Sequence, residues 1–577
     1  MKKLLILALT LMLALCFVGS AFAEKVFHYY LSSDTETLNG QNSVQSNVNT
    51  PATYCQATLY RAIADENGLN FHYEPEIAAA LPEPVEGKEN TWKIALDPRA
   101  CWANGDPINA DTMIYSYKMG LDPVLSNQMA DFISDQDITI LNAKAYSLQT
   151  SEAPVAWEDV GIKKIDDYTL EITTDGEVNP TNICSHFTTR AVVPVYEPLY
   201  EAGMASDRTS TTYGSGVDNW MCSGPYKLDS WVFGSVQVYV RNENYWHPEW
   251  FNYDKVEVRI IPEMNARVEL WEKGELDYMA PDSNVIATYI DDPRTREYES
   301  ATVYHIDLNC KNPNNPVTAN PNYRKAMYHA MNREVIAEDL FGYQLPSGVY
   351  VNGQAGMFSE GGLTYRESEP GKAVTAMVES WGPAGYNPEM AREYLAKAYE
   401  ECGLAEDYVL TLCFAYDPSE SNWNATAQYL QEELPVVFDG KVKIIFDTYS
   451  GISTTIYKQQ HDTWDFSPND WTRGASRTYP YTCFYYYLST YGSHPNNFFD
   501  EEFEAQYAVC DSDEVKADYT RMLEETRKLE EIYLEKVIHI PVVQEVYYEM
   551  FADNLVLPVE TYLPGFGWGL PFGDIAE

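Results

Sequence analysis

The chain has 577 residues and a formal charge of −47, from 86 acidic against 39 basic side chains. So negative a surface repels phosphate backbones and anionic lipid, which argues against nucleic acid and membrane-surface partners. Hydrophobic residues make up 45% and aromatics 14%, which excludes extensive disorder, and the length calls for about two or three lobes.

In chain order, the first element reads as an export signal. Lys2 and Lys3 precede an apolar run over residues 4–18, and Ala21-Phe22-Ala23 offers a small-x-small cleavage site before Glu24. At about 1.5 Å per residue the run is short for ~30 Å of hydrocarbon. Cys16 offers a lipidation route, with Leu13 at the expected −3 position, but Leu15 stands where a small residue is usual. The Ala-Phe-Ala site fits better, so residues 1–23 are expected to be removed, with a lipid tether through Cys16 as the alternative. No later segment approaches a membrane span, and a soluble, exported mature chain is expected.

Residues 25–31 are aromatic and β-prone, an opening strand. A polar stretch of Asn, Ser, Thr and Gly runs to Pro51, and residues 54–64 read as a helix. A strand over 91–96 ends near Pro98 and the Asn104-Gly105-Asp106 turn, and residues 110–119 resume helical periodicity. Two short strands flank Asp166-Asp167, residues 226–240 alternate as a hairpin, and 255–261 extend that sheet. Amphipathic helices follow over 264–273, 323–331, 388–402, 425–434 and 513–534, with strands at 409–414 and 442–446. This mixture without repeats is an α/β pattern.

Beyond Cys16 the cysteines are Cys55, Cys101, Cys184, Cys222, Cys310, Cys402, Cys413, Cys483 and Cys510, an odd set with no C-x-x-C spacing. Buried free thiols fit best, and one or two disulfides stay open. The sequence has no G-x-S-x-G, H-E-x-x-H, Walker A or EF-hand motif. Gly565, Gly567 and Gly569 lack a strand-to-helix frame and read as a loop. His461 and His494 read as surface histidines rather than metal ligands. No catalytic residue, metal or cofactor is expected.

Six segments carry a resemblance. They are Tyr73-Glu74-Pro75-Glu76 through Asn109-Ala110-Asp111, including Cys101-Trp102-Ala103-Asn104-Gly105-Asp106-Pro107; Ser223-Gly224-Pro225-Tyr226-Lys227; and Arg241-Asn242-Glu243-Asn244-Tyr245-Trp246. Gly274-Glu275-Leu276-Asp277, the run from Arg324-Lys325-Ala326 to Asn332-Arg333, and Tyr386-Asn387-Pro388 complete the set. In this order they resemble the extracellular solute-binding proteins of the oligopeptide and dipeptide class. Local physics agrees, since Asn109 is placed to cap the helix that follows.

The resemblance implies an α/β, two-lobed periplasmic-binding-protein fold with mixed sheets flanked by helices. It implies lobe I over 24–63, 191–306 and 541–577, an inserted subdomain over 64–190, and lobe II over 307–540. Hinges are expected near 304–310 and 539–541, closing on a ligand that the importer then reads. Expected partners are a peptide or other small solute and the permease and ATPase subunits of an ABC importer; the protein itself is expected to be a monomer, periplasmic or extracellular.

Peptide-binding members place an Asp three residues after a lobe II Trp, to pair with the ligand amine. Trp471 matches the tryptophan, but Gly474 occupies the Asp position. Asp470 is the available substitute, and Arg473 and Arg477 are candidates for a ligand carboxylate. Trp471, Tyr479 and Tyr449 either line an apolar cleft or belong to the core. An oligopeptide or dipeptide is the leading ligand. Nickel chelates, haem, opines and sugars are alternatives within the class, and a secreted hydrolase is the alternative outside it.

Overall fold

The computed structural model describes residues 24–135, 137–356, 364–469, 479–490 and 498–576. The chain divides into two compact units, Met1–Ala280 with Met550–Glu577, and Pro281–Glu549. Residues 1–23, read from the sequence as an export signal, lie outside the described residues.

In the first unit, the strand Val26–Leu31 forms the edge of a four-stranded sheet with Lys255–Ile260, Val236–Arg241 and Tyr226–Val232. It runs parallel to Lys255–Ile260, and the other pairs are antiparallel. The inward positions Phe27, Val256, Val258, Tyr239 and Tyr226 are buried, as period-two alternation requires. A second sheet orders Glu83–Pro84, Thr91–Ala95, Thr169–Thr173 and Ile162–Asp166. The helix Ala110–Gly120 packs beside it, and Asn109 caps it reciprocally with Thr112.

The helix expected over 54–64 is not formed as such. The helix is Asn49–Cys55, and Tyr60–Ala64 is a strand paired with Phe71–Pro75. The cause is a buried carboxylate. Glu76 is fully buried, and its oxygens accept from the Thr58 amide at 2.7 Å, the Thr58 hydroxyl at 2.8 Å, Arg61 Nε at 2.8 Å and the Tyr245 hydroxyl at 2.6 Å. An isolated buried carboxylate costs many kcal/mol, so these donors fix residues 56–61 in extended form and override local helix preference. Burial opposes the Arg61 charge, but Glu76 and Tyr245 outweigh it and raise its pKa.

Three of the sequence segments meet at this point. Trp246 Nε1 donates to the Glu76 carbonyl at 2.8 Å, and Ser223 Oγ accepts from the Ala57 amide at 3.0 Å. The Ser223 and Gly224 amides both donate to the Cys55 carbonyl at 2.9 Å. A Cβ on Gly224 would lie 2.6 Å from the Gln56 nitrogen, so only glycine allows the two backbones to pass. Gly565, Gly567 and Gly569 all have positive φ in a turn, the loop expected for them.

In the second unit, strands Ile540–Phe551 (apart from its last two residues, which fall in the first unit), Thr295–Leu308, Phe466–Asn469, Leu410–Tyr416 and Val442–Thr448 follow in that order across a mixed sheet. Helices Pro321–Ala330, Pro388–Cys402, Ser421–Val437 and Tyr519–Lys536 contribute to its core. The helix expected over 513–534 is two pieces, Asp513–Lys516 and Tyr519–Lys536. Asp518 restarts it as an N-cap, its side chain accepting from the Arg521 amide. Residues 304–310 and 539–541 lie inside this unit, because Ile306, Leu308 and Ile540 sit fully buried in its core. The nine cysteines among the described residues are free thiols.

That core also holds a charge cluster. Asp307 is fully buried, with Lys458 Nζ at 2.5 Å, Asn469 Nδ2 at 3.1 Å, and His305 and His539 Nε2 each at 3.3 Å. Burial raises the Asp307 pKa, but Lys458, His539 and His305 outweigh it and hold it well below the usual carboxylate range. A depressed carboxyl contributes its stability fully above the unfolded-chain value of about 3.9 and loses it as pH falls below that. Acid titration of wild type is therefore expected to lower the unfolding midpoint steeply below about pH 4, and Asp307→Asn to flatten that slope. The substitution removes the buried carboxylate that pairs with Lys458, so chemical denaturation at pH 7 is expected to show a loss of about 3–5 kcal/mol.

Candidate functional site

A cavity with a volume of about 620 Å³ is lined by residues of the first unit. One side is the end of the opening strand and the segment after it: Tyr29, Leu31, Ser32, Ser33, Asp34 and Glu36. The other is the approach to the helix Asn49–Cys55: Gln45, Ser46, Asn47, Asn49 and Thr50. Tyr29 and Leu31 reach it because they share one face of the strand. The polar residues follow because the strand stops at Leu31.

Asp34 holds this segment in place. Its carboxylate accepts from Gly234 N at 2.7 Å, Gln237 Nε2 at 2.8 Å and Trp231 Nε1 at 3.1 Å, all on the neighbouring hairpin. Asn47 Nδ2 donates to the Asp34 carbonyl at 2.7 Å, which clips the two sides together. The Asn47 Oδ1 atom is buried without a hydrogen-bond partner. A buried acceptor left open costs about 1–3 kcal/mol. Glu36 is exposed, and the lining carries hydroxyls, amides and carboxylates but no Lys or Arg. This arrangement can hydrogen-bond a polar solute and pair with a cation. It contains no histidine or cysteine, hence no base or thiol nucleophile of those types.

Of the residues expected to bind ligand, Asp470, Trp471, Arg473 and Arg477 lie outside the described residues. Tyr449 is 9% exposed, stacks on Tyr457 at 4.1 Å and donates to Thr454 Oγ1 at 2.8 Å. It belongs to a small core cluster with Ala415, Tyr457 and Trp464. Tyr479 is half-buried against the main core of the second unit, with its ring 5.9 Å from Tyr481. These two tyrosines therefore sit in separate clusters. Asp34, Asn47 and Asn49 were not singled out by sequence. Their one signal was the length of the polar stretch between the opening strand and Pro51.

The family described as bacterial extracellular solute-binding proteins, family 5 Middle, matches residues 72–493. The chain belongs to this family. Similar curated proteins include the dipeptide-binding protein DppE of Bacillus subtilis, 25% identical over 47% of this chain and 46% of that one. The oligopeptide-binding protein OppA of the same organism is 24% identical over 59% of this chain and 56% of its own. The chain thus spans about half the length of these curated relatives. Among solved structures, the murein tripeptide-binding protein MppA in its unliganded open form superposes with a TM-score of 0.72 at 18% identity. That match covers 96% of this chain and 98% of MppA. It shows that this family 5 chain has the two-lobed α/β fold of periplasmic binding proteins.

The role of Asp34 separates from that of Glu36. Asp34→Ala removes a charged acceptor from the Trp231, Gly234 and Gln237 donors, and urea denaturation followed by tryptophan fluorescence is expected to show a loss of about 2 kcal/mol. Glu36→Gln is expected to change stability by less than about 0.5 kcal/mol.

Proposed function

We propose that the chain is an exported substrate-binding protein of an ABC importer, and that its solute is an oligopeptide or dipeptide. The observation that carries this is the cavity at the end of the opening strand in a family 5 member, lined largely by polar side chains. A peptide presents alternating N–H and C=O groups, which hydroxyl and amide side chains can match. Its α-ammonium needs a carboxylate, and Glu36 stands exposed in the lining, whereas Asp34 is engaged by its hairpin donors. The family is one of solute-binding proteins, and the relatives named above bind dipeptides, oligopeptides or a murein tripeptide. We read this chain as a binder without catalysis, working as a monomer, with permease and ATPase supplied by other chains. No helix among the described residues is long and apolar enough to cross a membrane, and the signal-like first residues support export.

Thermal-shift screening of the mature chain, residues 24–577, against a peptide library tests this. A peptide at about 1,000 times its Kd stabilises by about 4 kcal/mol, so binders are expected to raise Tm by several degrees and to be recovered unaltered by mass spectrometry. Asn47→Ala is expected to weaken the best binder about tenfold. A library with no binder, or one returned cleaved, contradicts the proposal.

A further inference from the structure

A second cavity of about 290 Å³ lies in the same unit, lined by Asn49, Ala52 and Thr53 of the helix Asn49–Cys55. Its charged lining residues are Arg61 and Arg190, with no carboxylate among the lining. That is unexpected in a chain with 86 acidic and 39 basic residues. Arg61 is neutralised by Glu76. Arg190 is not neutralised: its guanidinium donates to neutral acceptors only, Asn49 Oδ1, the Ser43 carbonyl at 2.7 Å and, weakly, Met129 Sδ at 3.9 Å. Burial lowers its pKa, and no neighbouring carboxylate offsets that effect.

Two polar atoms here are buried and unpartnered, Arg190 Nε and Thr189 Oγ1. Both residues line the cavity, with Thr58 and Thr188 beside them. A half-buried guanidinium without a counter-charge, lining a cavity beside threonine hydroxyls, has the chemistry of an oxyanion receptor, because arginine's fork matches the geometry of a carboxylate or phosphate. Gly40 permits the arrangement: a Cβ there would lie 2.9 Å from the Arg190 carbonyl oxygen.

We propose that this cavity is an anion-binding site, in which Arg190 and Thr189 receive an oxyanion. The oxyanion is either a carboxylate carried by the imported solute, which rests on the function proposed above, or a free small anion. The solute-borne case has a further attraction. The first cavity carries Asp34 and Glu36 without a cation, the second carries arginines without an acid, and Asn49 lines both. Adjacent sites of opposite sign suit a zwitterion.

Calorimetric titration of the mature wild-type chain separates the sources. One arm uses acetate, sulfate and phosphate against chloride at constant ionic strength. The other compares tripeptides carrying free and amidated C-termini. In whichever arm shows binding, Arg190→Gln is expected to weaken it at least tenfold, and Arg190→Lys to restore part of it. Thr189→Val is expected to weaken it about threefold without lowering Tm, since it deletes an unpaired buried hydroxyl. That variant distinguishes a receptor from a purely structural arginine. Binding in the free-anion arm supports the site even if every peptide fails. Loss of affinity on amidation, abolished in Arg190→Gln, assigns the oxyanion to the solute. If no anion binds and acid and amide peptides behave alike, or if binding survives both substitutions unchanged, the proposal is overturned.

Discussion

The first unit is organised around one buried charge. Glu76 places a carboxylate where water cannot reach it, and the chain answers with Thr58, Arg61 and Tyr245. Removing one partner of such a set costs about 3–5 kcal/mol, because the other charge is left stranded. The requirement is geometric as well as energetic. It brings together residues 56–61, the end of the strand Phe71–Pro75 and the segment around Tyr245, which lie far apart in sequence. With residues 56–61 extended, the helix Asn49–Cys55 must end at Cys55 against the Ser223-Gly224 turn, and that fixes the wall shared by both cavities.

From that frame the site follows. The opening strand is held by its parallel neighbour Lys255–Ile260, so the polar segment after Leu31 leaves the sheet at a defined point. Asp34 then anchors it to the Trp231–Gln237 hairpin, and Asn47 ties the returning chain to it. Polar side chains on a braced loop are pre-organised, so binding of the proposed solute there would lose little ordering entropy. The second unit has its own buried charge around Asp307, a separate solution to the same electrostatic problem.

Elements with strong periodicity or a cap were legible in the sequence. The helix Pro388–Cys402 and the Asn109 cap fall where residue pattern alone puts them. Family resemblance supplied the fold, since its segments are turns and caps. Where local reading erred, a long-range term decided: Glu76 over residues 56–61, and the Asp518 cap within the acidic helix. The cavities were less legible still. Asp34 and Arg190 acquire meaning from partners distant in the chain, Gln237 and Ser43 respectively, and a polar stretch reads as a connection until its partners are known. Resemblance drew attention instead to residues 470–479, of which the described structure includes Tyr479 alone.

The proposed solute would bind against the polar segments that flank the opening strand and the helix after it. Amide hydrogen exchange tests it most directly. The mixture extracted from natively purified protein is added back to the ligand-free mature chain, and exchange is followed by mass spectrometry. The account predicts slowed exchange in residues 32–36 and 45–50. Protection confined to other segments, with these two unchanged, would contradict it.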